Sequence, residues 1–251
     1  MITNADLVEG LFNMGIRNGE HLMVHSSLKS LGYVEDGANT VVEALLETIG
    51  SNGTLMVPTF THSNTEYYDP TESPSKNGAI TEAIRKRSDS VRSLHPTHAV
   101  TVIGPDAEEL VLNDLNCGPL GKGCALDLLS KRQGRILLLG VNHEANSIIH
   151  VGEDYASDPG REKFCSPKNP KRVTLKHPDL GDVGILLTSM MGRTLAFDLM
   201  ENLLRKTKKI IDGKLGKADC QLMNGLDVIE ATQDILASNK GDCTSDSSKV
   251  L

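Results

Sequence analysis

The stretch GVNHEANSIIHVGE, residues 140–153, carries the densest chemistry in the chain. A helix beginning near Ser147 places Ser147, His150 and Glu153 at i, i+3 and i+6, on one face and aimed at one place. Imidazole is the side chain whose ordinary titration suits base work near neutrality. A carboxylate beside it orients it or stabilises its charge, and a hydroxyl donates to a developing oxyanion. The same spacing also serves a solvated helix face, and spacing alone leaves both readings open.

A second cluster, His25-Ser26-Ser27-Leu28-Lys29-Ser30, follows a short apolar run. Its amides and hydroxyls can hold an anion or a polar carbonyl, and Lys29 adds a point charge for phosphate. A capped turn would use the same residues. In VRSLHPTH, residues 91–98, Arg92 is a candidate anion contact with Ser93 beside it. His95 and His98 look like metal ligands, but no carboxylate or Cys stands at a matching spacing, and a zinc site needs three or four ligands. A loop whose histidines satisfy local backbone groups fits them better. The chain has no G-x-G-x-x-G, P-loop, G-x-S-x-G or H-E-x-x-H motif, so the dinucleotide, NTPase, α/β-hydrolase and zincin readings lose their support. The four cysteines before Cys243 read as core or loop residues in preference to nucleophiles, and Cys124 in a Gly-Lys-Gly-Cys turn is the one to watch.

These residues need a frame. Residues 4–12 read as a capped amphipathic helix, 21–25 as a buried strand running straight into the serine cluster, and 38–49 as a helix. Strands follow at 54–59, 100–103 and 135–141, with helices at 78–87 and 147–156. The polar, turn-rich segment 61–77 reads as one long loop. Later elements are a proline-bearing loop at 164–170, a strand at 183–187, a helix at 195–211, a turn and short strand within 213–223, a last helix at 226–236, and a polar tail. Strands alternating with helices imply an α/β sandwich around a partly parallel sheet. Ligands of such sheets sit at the carboxyl ends of strands, which selects the loops after Val24, Thr59 and Val141.

The 251 residues suit one globular domain, or two at most. The net charge of −7 argues against nucleic acid, whose phosphates need a basic surface. The charge is uneven: residues 1–160 hold 11 basic and 21 acidic side chains, whereas the remainder is slightly basic. Such a field attracts cations. Five cysteines with no C-x-x-C disfavour a disulfide scaffold or structural zinc. No signal-peptide pattern and no membrane-length apolar run is visible, so the expectation is a reduced, cytoplasmic enzyme.

Taken together, MVHSSLKSLGYVEDGANTVVEALLETIGSNGTLMVPTFT, DPTESPSKNGAITEAIRKR, VRSLHPTH, GRILLLGVNHEANSIIHVGE and the closing KLGKADCQLM with DVIEA resemble the aminoglycoside 3-N-acetyltransferase family over residues 5–236. The resemblance implies a single-domain α/β/α layered sandwich over residues 1–237, distinct from the GNAT fold, with a disordered tail at 238–251. It implies acetyl-CoA as donor, no metal, an amine of an aminoglycoside or amino sugar as acceptor, and a homodimer as a family-level expectation. His150 matches the family's essential histidine in Asn-Thr-x-x-His-x-x-Glu; Asn146 and Glu153 match as well, and Ser147 replaces the usual Thr. Residues Ser26 to Ser30 match the segment that holds CoA. The family's usual Ser-Pro is Cys124-Ala125 here, and Ala99 replaces a frequent Ser; both departures bear on the acceptor. A polycationic acceptor suggests that Glu66, Asp69 and Glu72 of the long loop, with Asp154, bind its amines, although a solvated loop would look the same. The rival readings are an acyltransferase using another acyl-CoA or amine, a non-catalytic CoA-binding relative, and a metal-dependent amide hydrolase built on His95, His98, His143 and Glu144.

Overall fold

The computed structural model describes residues 1–61, 65–118, 120–157, 168–188 and 196–238. In chain order the elements begin with α1 (Asn4–Asn13), β1 (His21–Ser26), α2 (Leu28–Leu31), α3 (Ala38–Ile49), β2 (Thr54–Pro58) and β3 (Tyr67–Tyr68). They continue with α4 (Ala79–Arg85), β4 (Val91–Arg92), β5 (Val100–Ile103), α5 (Ala107–Val111), α6 (Ala125–Lys131) and β6 (Arg135–Leu139). After a 3₁₀ turn at His143–Ala145 come α7 (Ile148–Tyr155), β7 (Lys171–His177), β8 (Gly181–Leu187), α8 (Ala196–Lys206), β9 (Ile211–Leu215), β10 (Ala218–Asn224) and α9 (Gly225–Ser238).

Seven strands form the central sheet in the order β4-β5-β2-β1-β6-β10-β9. β1 pairs in parallel with both β2 and β6, and the outer strands run antiparallel. The mixed sheet anticipated from the sequence is therefore parallel only at its centre. Period-two side chains divide the three central strands between two cores. Leu22, Val24, Leu55, Val57, Leu137 and Leu139 face α1, α3 and α4, whereas Met23, Met56, Ile136 and Leu138 face α6, α7, α8 and α9. Helices thus cover both faces, giving the expected α/β/α layers.

The local sequence explains most boundaries. Helix α1 is capped one residue earlier than its first Asn suggests: Thr3 and Asp6 form a reciprocal capping box. Helix α3 buries Val41, Val42, Ala44, Leu45 and Ile49 on one stripe and stops at Gly50. Segment 61–77 is not one loop, because Tyr67–Tyr68 pairs with β7 in a separate sheet ordered β3-β7-β8. Buried Tyr68, Val173, Leu175 and Leu187 form a third core beneath it. The single strand expected within 213–223 is a hairpin of two. Most of the loop expected at 164–170, and the tail beyond 238, lie outside the described residues. Among the described residues no helix is long and apolar enough to cross a membrane.

The connection after β1 leads to α3 on one face, and that after β6 leads to α7 on the other. The crevice between their carboxyl ends is a topological switch point, the usual ligand position in α/β sheets. Two close approaches fix its walls. Gly140, at φ +65°, ends β6 where a Cβ would strike Ser30 at 2.5 Å. Gly152 lets α7 lie on α9, because a Cβ there would stand 2.4 Å from the Thr232 Cβ. Substituting Gly152→Ala is expected to destabilise the fold by roughly 1–3 kcal/mol through overpacking, read as a lower urea midpoint.

Candidate active site

Ser147 is the N-cap of α7, and the helix carries His150 and Glu153 one and two turns along. Asn142 prepares the entry: its side chain accepts the Glu144 N–H and starts the preceding 3₁₀ turn. Glu153 is fully buried, and its Oε2 stands 2.7 Å from His150 Nδ1. An ionised carboxylate can only accept, so Nδ1 carries the proton and Nε2 is the basic nitrogen. The ring is further held edge-on against Phe197 of α8, with centroids 5.1 Å apart. An imidazole oriented in this tautomer is the arrangement a general base requires.

His150 opens on a cavity of about 240 Å³ at the switch point, whose lining includes His25, Ser26, Phe60, Asn77, Ser147 and Phe197. The volume is below that of a drug-sized ligand site. A wider cleft of about 1230 Å³ adjoins it, sharing Val141, Glu144 and Ala145 as lining. Its walls come from α8, the β9–β10 hairpin and the loop after β6, and they bring Glu201, Arg205, Asp212, Lys214, Lys217 and Asp219 together.

The residues expected to form the site divide into two groups. Ser147 and His150 line the small cavity, and Glu153 joins them only through its bond to His150. Ser26 lines the small cavity, and Ser30 lines the wide cleft, where its Oγ stands 2.9 Å from both Ser27 Oγ and the Gly140 carbonyl. Lys29 is exposed on α2, and Leu28 packs against the second core.

The second group lies away from both spaces. Arg92 donates to the backbone carbonyls of Thr59, Pro70 and Ser73, so its guanidinium pins the long loop to the end of β2. Ser93 is buried and accepts the Val100 N–H. Asp69 caps the Thr71–Glu72 turn and pairs with Lys176 at 2.8 Å, which holds its carboxyl below the ordinary range despite burial. Glu66 and Glu72 are exposed and line neither space. Asp154 accepts the Lys122 N–H, and Asn146 is buried against His143 and Met223.

The histidine loop has the structural role that its spacing allowed: buried His95 accepts the Thr97 and His98 N–H groups through Nδ1. Among the described residues no cluster of three or more His, Cys, Asp or Glu has metal-binding geometry. Cys124 is fully buried as the N-cap of α6, and burial pushes its thiol well up, away from the thiolate a nucleophile needs.

Sequence reasoning passed over His25, Asn77, Phe60 and Phe197 as site residues. His25 stood in the quoted His-Ser-Ser motif, and the parallel pairing of β1 with β6 is what carries it to α7. Its Nε2 accepts the Ser147 N–H at 3.4 Å, and burial pushes its ring down to about 3, so it stays neutral.

The chain is similar to known proteins of one family. The sequence profile of the aminoglycoside 3-N-acetyltransferase family matches residues 23–237. The aminoglycoside N(3)-acetyltransferase IV of Salmonella sp is 33% identical over 165 residues, which span 64% of this chain and 63% of that protein. A crystal structure of a histidine-to-alanine variant of aminoglycoside acetyltransferase AAC(3)-IVa, in complex with a gentamicin, superposes with a TM-score of 0.83 at 27% identity. It covers 95% of this chain and 89% of that one. AAC-IIIb, in binary complex with CoASH, shares the fold with a TM-score of 0.83 at 21% identity, over 94% of this chain and 97% of that one. The family match spans most of the chain and defines an acyltransferase: the chain belongs to the aminoglycoside 3-N-acetyltransferase family.

The buried titrating groups make stability depend on pH. His95, pushed down to about 4 by burial, and His25 are neutral in the fold but protonate near 6.5 once unfolded. The unfolded chain then binds more protons, so stability falls as the pH drops from 6.5 towards 4. Asp114, pushed up to about 6 by burial, acts with the opposite sign between 3.8 and 6 and offsets part of that loss. Denaturant midpoints at pH 7 and pH 5 should therefore show net acid destabilisation. His95→Gln should weaken it by up to about 1.4 kcal/mol per pH unit.

Proposed function

We propose that the chain transfers the acetyl group of acetyl-CoA to the 3-amino group of an aminoglycoside, by direct attack in a ternary complex. The observation that carries this reading is the 2.7 Å bond between His150 Nδ1 and buried Glu153, at the wall of a cavity sized for the reacting groups. His150 Nε2 takes the amine proton as nitrogen bonds to the thioester carbon. Glu153 keeps the ring oriented and stabilises the imidazolium as it forms. The Ser147 hydroxyl, one turn earlier, supports the oxyanion or returns a proton to the leaving thiolate. No acyl-enzyme is required: among the described residues no cysteine lines the small cavity, Cys220 lines the wider cleft, and burial raises the thiols of Cys117, Cys124 and Cys220.

Family membership supports the reaction class, the gentamicin-bound relative supports the acceptor, and the CoASH-bound relative supports the donor. The wider cleft takes substrate that the small cavity cannot contain. Glu144 lines both spaces, which suits an acceptor with several ammonium groups. One observation favours a second acceptor class. Glu201 and Asp212 are both held by Arg205, and Asp219 stands 3.2 Å from Lys214. Carboxylates neutralised within the protein suit an amino sugar of lower charge.

Thiol release from acetyl-CoA and longer acyl-CoAs, measured against aminoglycosides and simple amino sugars, tests the reading. The expected result is fastest release with acetyl-CoA and an aminoglycoside, and a loss of about 10²–10⁴-fold in kcat for His150→Ala. No release with any aminoglycoside would overturn the function, and full turnover by His150→Ala would overturn the base.

A further inference from the structure

Asn77 ends the long loop at the cavity wall. Its main-chain N–H donates to Ser75 Oγ at 3.2 Å, and its Oδ1 accepts the Phe60 N–H at 2.7 Å. A backbone N–H requires an acceptor, so the amide orientation is set: Oδ1 faces Phe60 and Nδ2 is turned away from it. Among the described residues Nδ2 has no protein partner. Ser26, at the carboxyl end of β1, lines the same cavity, and its Oγ is shielded from solvent with no hydrogen-bond partner. Ser27 and Ser30, in the same turn, have hydroxyls already engaged with each other. Buried polar groups are ordinarily satisfied, and a lone hydroxyl in a reaction cavity calls for a ligand acceptor. The cavity also brings in Pro58, Phe60, Val141 and Phe197, an apolar surrounding that strengthens any hydrogen bond made within it.

On the basis of the transfer reading above, we propose that Asn77 Nδ2 and the Ser26 hydroxyl donate to the thioester carbonyl oxygen and form the oxyanion-stabilising pair of the reaction. The amine nitrogen bonds to the carbonyl carbon, the C=O π pair moves to the oxygen between these two donors, and the amine proton passes to His150. Collapse reforms C=O and breaks C–S, and the thiolate receives a proton to leave as CoASH. That proton is the one held on His150, and Ser147 is then left to relay it to the thiolate, which returns both side chains to their starting states. Fixed donors aimed where charge develops cost no reorganisation during the reaction.

The test is the infrared stretch of the thioester carbonyl in bound acetyl-CoA, together with kcat, in wild type, Asn77→Asp and Ser26→Ala. Asn77→Asp keeps the acceptor for the Phe60 N–H but replaces the donor with a charged oxygen, so the neutral Ser26→Ala, which removes a donor without adding charge, must move both readouts in the same direction. The expected results are a lowered stretch in wild type and a shift that shrinks in both variants at saturating acetyl-CoA. The variants should also lose kcat on the order of 10²-fold with little change in KM, and Ser26→Thr should restore both readouts. Bound acetyl-CoA with unchanged stretch and unchanged kcat in both variants would overturn the donor pair while leaving the transfer reading intact. Failure of wild type to bind acetyl-CoA would overturn the transfer reading and the donor pair with it.

Discussion

The hydrogen bond between His150 and Glu153 is the contact on which the rest of the site depends. A carboxylate with no solvent contact is costly unless it is paired, and removing one member of such a pair leaves the other stranded. The imidazole that pairs with it is thereby held in one tautomer, with its basic nitrogen at Nε2. One residue of slip along α7 would turn His150 away from the cavity. The helix is held against slipping by Gly152 on Thr232, by Ile148, Ile149 and Val151 in the core, and by His25 beneath its first amide.

The sheet explains why such a pair stands where substrates can reach it. Parallel β1 and β6 send their following helices to opposite faces, so their carboxyl ends open a crevice between layers. The chain fills that crevice with short polar segments: Ser26–Ser30 from β1, the 3₁₀ turn and Ser147 from β6, and Asn77 from the loop that Arg92 ties down. The candidate site is thus built on strand ends and a helix, and the loops are drawn in by hydrogen bonds.

Much of this was legible in the sequence. Apolar runs at 22–24, 55–57 and 136–139 marked the central strands, because residues buried on both faces leave no alternation. The i, i+3, i+6 triple marked the stretch of α7 where His150 meets Glu153, because a helix has only one geometry. What sequence could not show is pairing across distance. Arg92 looked like an anion contact, but its donors meet three carbonyls brought to it by folding. Asp69 looked like a substrate acid, but Lys176, 107 residues away, neutralises it. Strand β7 was missed because Arg172, Lys176 and its other charges mask the two buried residues, Val173 and Leu175, that hold it in place. Asn77 carried no signal at all until Phe60 N–H fixed its amide.

The acidic excess of the first 160 residues takes on a local meaning. Part of it, at Asp69, Glu82 and Asp106, is spent on internal ion pairs with Lys176, Arg85 and Arg132. Glu153 is buried against His150, and Glu144 lines both the small cavity and the wider cleft. Net charge therefore says little about the groups that line the candidate site. The most direct measurement is a double-mutant cycle on kcat with His150→Ala, Glu153→Gln and the double variant. If Glu153 acts only through His150, the double variant will be no slower than His150→Ala alone. Losses that multiply independently would contradict the pair as the centre of the site.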